Sequence, residues 1–88
     1  MILYLPERNT ITDVEEVVAA PLGDGEYEIR VFTAYDDDYW SLPHNIPERN
    51  VGRMLGALHR ALHHYDGYAV LRSSDWTGEK NDDLEMQL

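Results

Sequence analysis

Two histidines stand four residues apart in a segment with helical periodicity, a spacing that can place two imidazoles on one metal ion. They are His59 and His63, with His44, His64 or Asp66 as conceivable third ligands. No glutamate stands beside the first histidine to act as a general base, and no residue is identifiable that would orient either ring. We therefore interpret the pair as solvated helix histidines and predict neither a metal site nor a cofactor.

Carboxylates are the other group capable of chemistry, but no catalytic arrangement of them stands out. Asp36 to Asp38 resemble half of a calcium loop, yet the glycine and the distal glutamate of an EF-hand are absent. The chain has no Gly-x-Ser-x-Gly motif and no glycine-rich phosphate loop before a helix. Seventeen acids are present, and nothing singles out a general acid and base pair among them. We predict that the protein is not an enzyme.

The overall charge favours a protein partner. The chain carries 17 acids against 7 basic residues, for a net charge of −10, and its two ends are acidic while residues 44–72 are mildly basic. Such a domain repels phosphate backbones, so we expect it to bind a basic nucleic-acid-binding protein or enzyme and not nucleic acid itself. A salt-adapted or GC-rich genome would produce the same composition, and the acids would then serve solubility alone.

The candidate interface combines acids with large aromatic residues, because aromatic side chains dominate binding energy where they become buried. Its members are Glu15, Glu16, Asp36, Asp37, Asp38, Tyr39, Trp40 and Trp76. A second acidic group near the end of the sequence could extend the row of carboxylates: Asp82, Asp83 and Glu85. In this hypothesis the row mimics the phosphates of DNA. In the alternative, the acids are only solvated and the tryptophans only cap the core.

Strands are predicted from short apolar runs and from alternation. Residues 26–35 alternate most clearly, with Ile29 and Val31 on one face and Arg30 on the other. Met1–Leu5 and Tyr68–Arg72 also have strand character, and residues 39–42 are a candidate short strand. The intervening Pro43 to Pro47 segment is predicted to be a loop.

Two helices are predicted. Thr12 and Glu15 form a capping box before valines at helical spacing, which predicts a short helix from Asp13 to about Ala20, although the valines also suit a strand. Residues 48–65 form a long amphipathic helix whose apolar stripe is Val51, Met54, Leu55, Leu58, Leu62 and Tyr65. Gly52 and Gly56 lie on one flank of this helix, where we expect a strand, a loop or a partner chain to approach closely.

These elements predict an α+β fold with an antiparallel sheet of three to five strands, one long amphipathic helix and one short N-terminal helix. Residues 1–88 are one domain, because so short a chain supports only one modest core. Residues 77–88 are either a flexible tail or an edge strand, since Leu84, Met86 and Leu88 alternate with polar residues.

The absence of cysteine and of a long apolar run predicts a cytoplasmic protein with no membrane contact. The tetrapeptide Pro-Glu-Arg-Asn occurs at 6–9 and at 47–50, which we interpret as coincidence.

Several short segments, in order, resemble the phage inhibitor family of uracil-DNA glycosylase. They cover roughly a third of the chain and comprise Ile2–Glu7, Val14–Val17, Val31–Asp36, Tyr68-Ala69 and Gly78-Glu79. The resemblance implies a small acidic α+β protein that mimics DNA and grips an aliphatic side chain of the enzyme in an apolar cavity. The family's Glu-Ser-Ile pattern and its N-terminal helix are absent, and the arginine-bearing helix at 48–65 has no counterpart there.

Carried over residue by residue, the resemblance implies that Glu15 and Glu16 supply the mimicking charge and that Val14, Val17 and Val31 wall the cavity. The functional hypothesis is therefore an acidic protein inhibitor that blocks a nucleic-acid-processing enzyme, acting in the host cytoplasm if it is phage-encoded. The alternative is an interaction module that forms a homodimer through the Gly52 and Gly56 flank of the long helix.

Overall fold

The protein has the α+β fold that its sequence predicts, but the sheet is mixed where an antiparallel sheet is predicted, and a single main helix packs on it. The computed structural model describes residues 1–78. The strands are β1 Ile2–Leu5, β2 Thr10–Gly23, β3 Glu26–Thr33, β4 Tyr39–Ser41, β5 Ile46–Pro47 and β6 Tyr68–Val70. The helix is α1, Glu48–His64, and two short 3-10 turns span Pro6–Arg8 and Ser73–Trp76. The predicted edge strand with Leu84, Met86 and Leu88 lies outside the described residues.

The sheet order is β4-β3-β2-β1-β6, and β5 pairs with the start of β3. All neighbouring strands are antiparallel except β1 and β6, which are parallel. Six strands lie within residues 1–78 because the segment predicted as a short helix is strand β2 and the predicted loop before α1 contains the two-residue strand β5. The long strand β2 joins the two halves of the sheet, since its first residues pair with β1 and its later residues pair with β3.

The predicted short helix from Asp13 to Ala20 is wrong, because this whole segment belongs to strand β2. A register shift between Val14 and Glu16 marks a β-bulge, which inserts one extra residue into the strand. Val14 and Val17 therefore both face the core although they are three residues apart, so the bulge imitates helical spacing. Pairing on both sides of the strand and the preference of β-branched residues for strands outweigh the capping box.

The core lies between α1 and the inner face of the sheet. Its buried hydrophobic members are Leu3, Leu5, Val14, Ile29, Val31, Leu42, Ile46, Met54, Leu58, Ala69 and Leu71. The predicted stripe of α1 is confirmed at Met54 and Leu58, but Leu55 and Tyr65 are exposed. The helix packs on β6, β5 and β3, and these two residues at the margins of its stripe reach solvent. No helix within residues 1–78 is long and apolar enough to span a bilayer.

The final turn of the described chain, Ser73–Trp76, is fixed at both ends by side chains from distant segments. The Glu7 carboxylate accepts hydrogen bonds from the backbone N–H of Ser73 at 2.7 Å and of Ser74 at 3.1 Å. The buried Asn50 donates through Nδ2 to the carbonyl of Trp76 at 2.7 Å. These bonds satisfy polar groups that would otherwise be left unpaired near the core.

Candidate functional site

The pairing of β2 with β3 brings two acidic segments of the chain to one region of the surface. Val14 lies opposite Thr33, so the bulged Glu15 and Glu16 stand beside the end of β3. Asp36, Asp37 and Asp38 follow that end in the loop between β3 and β4. We call these five residues the acidic cluster: Glu15, Glu16, Asp36, Asp37 and Asp38.

A small hydrogen-bond network fixes the start of the aspartate loop at the end of β3, and the N–H of Ala34 donates to the carbonyl of Asp13 on β2 at 3.5 Å. The Thr33 hydroxyl accepts from the backbone N–H groups of Tyr35 at 3.3 Å and Asp36 at 3.2 Å, and it donates to the Asp36 carboxylate at 3.3 Å. The Asp38 carboxylate accepts from the N–H of Tyr39 at 2.8 Å. Thr33 is buried, so the loop begins from a fixed point.

The acidic cluster presents concentrated negative charge. All five of its residues are exposed. Within residues 1–78 no arginine, lysine or histidine comes within ion-pair distance of these carboxylates. Uncompensated charge on neighbouring strands adds up to a local field that attracts a basic surface.

An aromatic and cationic row lies on the outer face of the sheet beside the cluster. Phe32 stands opposite Glu16, and its ring centroid is 5.6 Å from that of Tyr39. The Arg30 guanidinium lies 4.6 Å from the Tyr39 ring centroid and donates to Glu28 at 2.6 Å. The hydrogen bond with Glu28 raises the pKa of Arg30 above its ordinary value, so this cation stays charged and paired. Tyr39 is thus held in a defined position at the margin of the cluster.

The two tryptophans of the predicted interface are not brought to the acidic cluster. Trp40 lies opposite Val31 on the inner face of the sheet, where the Arg8 guanidinium covers its ring at 4.2 Å from the centroid. Trp76 lies in the Ser73–Trp76 turn and packs against the core. Alternation along β4 places Trp40 on the opposite face from Tyr39. The predicted extension of the row by Asp82, Asp83 and Glu85 lies outside the described residues.

The flank of α1 that carries the glycines and histidines is open in the part of the chain that is described. A Cβ atom added at Gly52 would meet nothing within 4 Å, and one at Gly56 would meet only the Arg60 guanidinium at 3.4 Å. The close approach expected at this flank is therefore not made by residues 1–78. His59 and His63 are exposed on it, and no three His, Asp or Glu side chains in the described range are placed to hold a metal ion.

Sequence reasoning did not identify the row of Phe32 and Arg30 beside Tyr39. The period-two pattern of β3 did place both residues on the face opposite Ile29 and Val31. The missing information was the pairing partner, because Tyr39 reaches them only through the register between β3 and β4.

The three valines that the family resemblance implicates lie on the inner face of the sheet. Val14 and Val31 are buried in the core, and Val17 packs against it. Comparison of the chain with protein-family models, curated protein sequences and solved structures found no match. The assignment of a function therefore depends on the residues themselves.

Proposed function

We propose that this protein is a non-enzymatic inhibitor that occupies the basic cleft of a nucleic-acid-processing enzyme. The observation that carries the proposal is the acidic cluster, in which two separate chain segments place five exposed carboxylates together without a counter-cation from residues 1–78. The partner is a basic protein of the cytoplasm, or of the host cytoplasm if the inhibitor is phage-encoded. The protein does not bind nucleic acid directly, because both surfaces are negative.

The pairing of β2 with β3 makes the cluster a substitute for a phosphate backbone. Neighbouring strands lie about 4.8 Å apart, so Glu15 and Glu16 on β2 stand next to the end of β3 from which the aspartate loop continues. An enzyme cleft built to neutralise closely spaced phosphates would be attracted to such a cluster and guided towards it. Tyr39, held between Phe32 and Arg30, supplies an aromatic contact at the margin.

The direct test compares two variants that lose the same charge at different places. The cluster triple is Glu15→Gln with Glu16→Gln and Asp37→Asn, three exposed acids that make no hydrogen bond through their side chains in the described structure. Both amide replacements keep the size of the side chain.

The control triple is Asp24→Asn with Glu26→Gln and Glu48→Gln, which are also exposed. These acids lie at the opposite end of the β2 and β3 pair, where the N–H of Glu48 donates to the carbonyl of Gly25 at 2.8 Å. The net charge of −10 is reduced by three in each variant. Any difference between the two triples therefore depends on the position of the charge.

The immobilised protein should capture a nucleic-acid-processing enzyme from extract at low salt and release it at high salt, because screening weakens long-range attraction. The captured enzyme, once purified, should be inhibited by the parent chain and by the control triple. The cluster triple should inhibit about tenfold more weakly or worse, equivalent to about 1.4 kcal/mol. Equal inhibition by both triples would refute the acidic cluster as the binding surface.

A second candidate function is self-association through the Gly52 and Gly56 flank, which the open space at Gly52 favours. Sedimentation of the protein alone separates the two candidates. A monomer that gains mass only with the basic enzyme supports the inhibitor. A salt-insensitive dimer that Gly52→Leu converts to monomer supports self-association instead.

A further inference from the structure

The outer face of the sheet, opposite α1, carries exposed apolar side chains on strands β6, β1 and β2. Alternate residues of β1 and β6 point into the core, since Leu3 and Ala69 are at most 3% exposed. Alternation along each strand therefore turns their neighbours outward, together with the residue of β2 that is paired with β1. We call this group the apolar patch: Ile2, Tyr4, Ile11, Tyr68 and Val70.

Strand pairing places these five side chains next to one another. Tyr4 stands between Val70 on β6 and Ile11 on β2, and Ile2 stands beside Tyr68. Neighbouring strands lie about 4.8 Å apart and alternate residues of one strand about 7 Å apart, so the side chains form one surface. Within residues 1–78 Tyr4 is half-buried and the other four are 40% to 63% exposed. Contiguous exposed apolar side chains of this kind commonly mark an interaction site.

The apolar patch borders the acidic cluster on the same face. Asp13 stands beside Ile2 across the pair of β1 and β2, and its carboxylate is paired with the Met1 ammonium at 3.2 Å. Glu15 and Glu16 follow along β2 within about 10 Å of Asp13. An average protein interface covers about 800 Å² on each partner, so one partner can contact the patch and the cluster together.

We propose that the apolar patch and the acidic cluster together form the surface that binds the enzyme. In this inference, which rests on the proposed function, the patch contacts apolar and aromatic side chains that lie beside the cations of the cleft. Enzymes that hold unpaired bases stack them against such side chains, while lysine and arginine contact the phosphates. A nucleic acid presents charged and apolar groups side by side, and this face of the sheet does the same.

The charge around the patch favours this partner over other occupants. A second copy of the chain carries the same net charge of −10, and an anionic lipid surface is also negative, so both are repelled. A cleft with arginine or lysine beside apolar side chains matches the whole surface. The two parts should act at different steps, since charge speeds association and buried apolar contacts slow dissociation.

The test removes apolar surface from the patch without disturbing the strands. The patch triple is Ile2→Thr with Ile11→Thr and Val70→Thr. Threonine keeps the β-branched shape that strands favour, and all three positions are exposed, so the variant should fold.

The apolar control changes three exposed residues that lie elsewhere, Leu22→Thr with Leu55→Gln and Tyr65→Gln. Leu22 is near the far end of β2, Leu55 is in α1 and Tyr65 follows α1. Both variants lose three apolar side chains, so a difference between them depends on position. Urea denaturation of each variant establishes that it is folded before binding is measured.

Binding kinetics are measured on the purified enzyme that the immobilised protein captures. The patch triple should dissociate about tenfold faster or more at low and at high salt alike, because apolar contacts are not screened. Its association rate should change by less than about twofold. The cluster triple should instead associate more slowly at low salt, and the apolar control should behave like the parent.

The outcomes separate this inference from the proposed function. If the patch triple dissociates at the rate of the parent while the cluster triple loses binding, the role of the patch is overturned and the inhibitor function stands. Equal losses in the patch triple and the apolar control would also overturn that role. Failure to capture any nucleic-acid-processing enzyme would overturn both. A dimer of the parent alone that the patch triple converts to monomer would assign the patch to a second copy and overturn the inference.

Discussion

A single side chain, Glu7, holds together three segments that are far apart in the sequence. Its carboxylate accepts from the N–H and the hydroxyl of Ser73 at 2.7 and 2.8 Å and from the N–H of Ser74 at 3.1 Å. The Ser73 hydroxyl in turn accepts from the N–H of His44 at 3.2 Å. The 3-10 turn after β1, the loop before β5 and the Ser73–Trp76 turn therefore meet at one carboxylate whose side chain is only 12% exposed.

Glu7→Gln should destabilise the fold. The amide keeps one acceptor oxygen but places an NH₂ group where the second oxygen accepts a hydrogen bond, and it removes the charge that strengthens these bonds. Hydrogen bonds to charged groups contribute about 1.5–3 kcal/mol, so we expect a loss of about 1–3 kcal/mol in the free energy of unfolding measured by urea denaturation. The exposed control Glu26→Gln should change it by less than about 0.5 kcal/mol. Equal losses in both variants would show that Glu7 has no special role.

The tetrapeptide Pro-Glu-Arg-Asn occurs at 6–9 and 47–50, and its two copies share a local feature of the backbone but differ in their long-range contacts. Pro6 begins a 3-10 turn, and Pro47 is the extended residue immediately before α1, since proline lacks an N–H that would be unpaired at the start of a helix. Beyond that point the copies differ. Glu7 in the first copy is half-buried and Asn50 in the second is buried, and the two side chains fix opposite ends of the same Ser73–Trp76 turn. The proline effect is predictable from sequence, but these long-range partners are not.

At the scale of elements, regular periodicity was sufficient to predict β3 and α1. The alternation in β3 placed Ile29 and Val31 on the buried face, which the structure confirms. The bulge in β2 broke the period of two and made its valines resemble a helix. Since Glu15 and Glu16 were assigned to a helix, their position beside Asp36 could not be predicted. The acidic cluster therefore exists only through the register of β2 against β3, which short-range patterns do not encode.

The helix stripe gives a matched pair of core substitutions. Met54 and Leu55 are neighbours in α1 and both fall in the predicted apolar stripe, but Met54 is 0% exposed and Leu55 is 36% exposed. Met54→Ala should lower the free energy of unfolding by about 2–5 kcal/mol, because it removes buried contacts and leaves a cavity. Leu55→Ala should cost less than about 1 kcal/mol, since alanine also favours the helix. Urea titrations of the two variants provide the comparison, and similar costs would contradict the described orientation of α1.

At the scale of the whole molecule, the charge of −10 opposes folding, because compaction brings like charges together. The cost is concentrated where acids lie close together, as in the acidic cluster, to which residues 1–78 bring no cation within ion-pair distance. A fold that needed only solubility could distribute its acids to minimise this repulsion. Retaining such a cluster fits a surface selected for binding, where stability is commonly sacrificed.

The salt dependence of thermal stability measures how much repulsion between the acids destabilises the fold. Between about 0.01 and 0.15 M salt the Debye length falls from about 30 Å to about 8 Å, which screens repulsion between exposed carboxylates. The Tm of the parent chain should rise by a few degrees over this range, since about 1 kcal/mol corresponds to about 4–8 °C for a domain of this size. At low salt the cluster triple should already melt above the parent, and its Tm should rise less when salt is added.

The control triple shows whether the acidity serves binding or only solubility and salt adaptation. It removes the same charge as the cluster triple, but from acids that are not in the cluster. If the repulsion is concentrated in the cluster, scanning calorimetry should show a smaller gain in Tm at low salt for the control triple than for the cluster triple. If the acids serve only solubility or salt adaptation, the repulsion is spread over the surface and the two triples should gain equally. Equal gains would therefore remove the energetic argument for a binding surface at Glu15, Glu16 and Asp36 to Asp38, while a larger gain for the cluster triple would show that the repulsion is concentrated there.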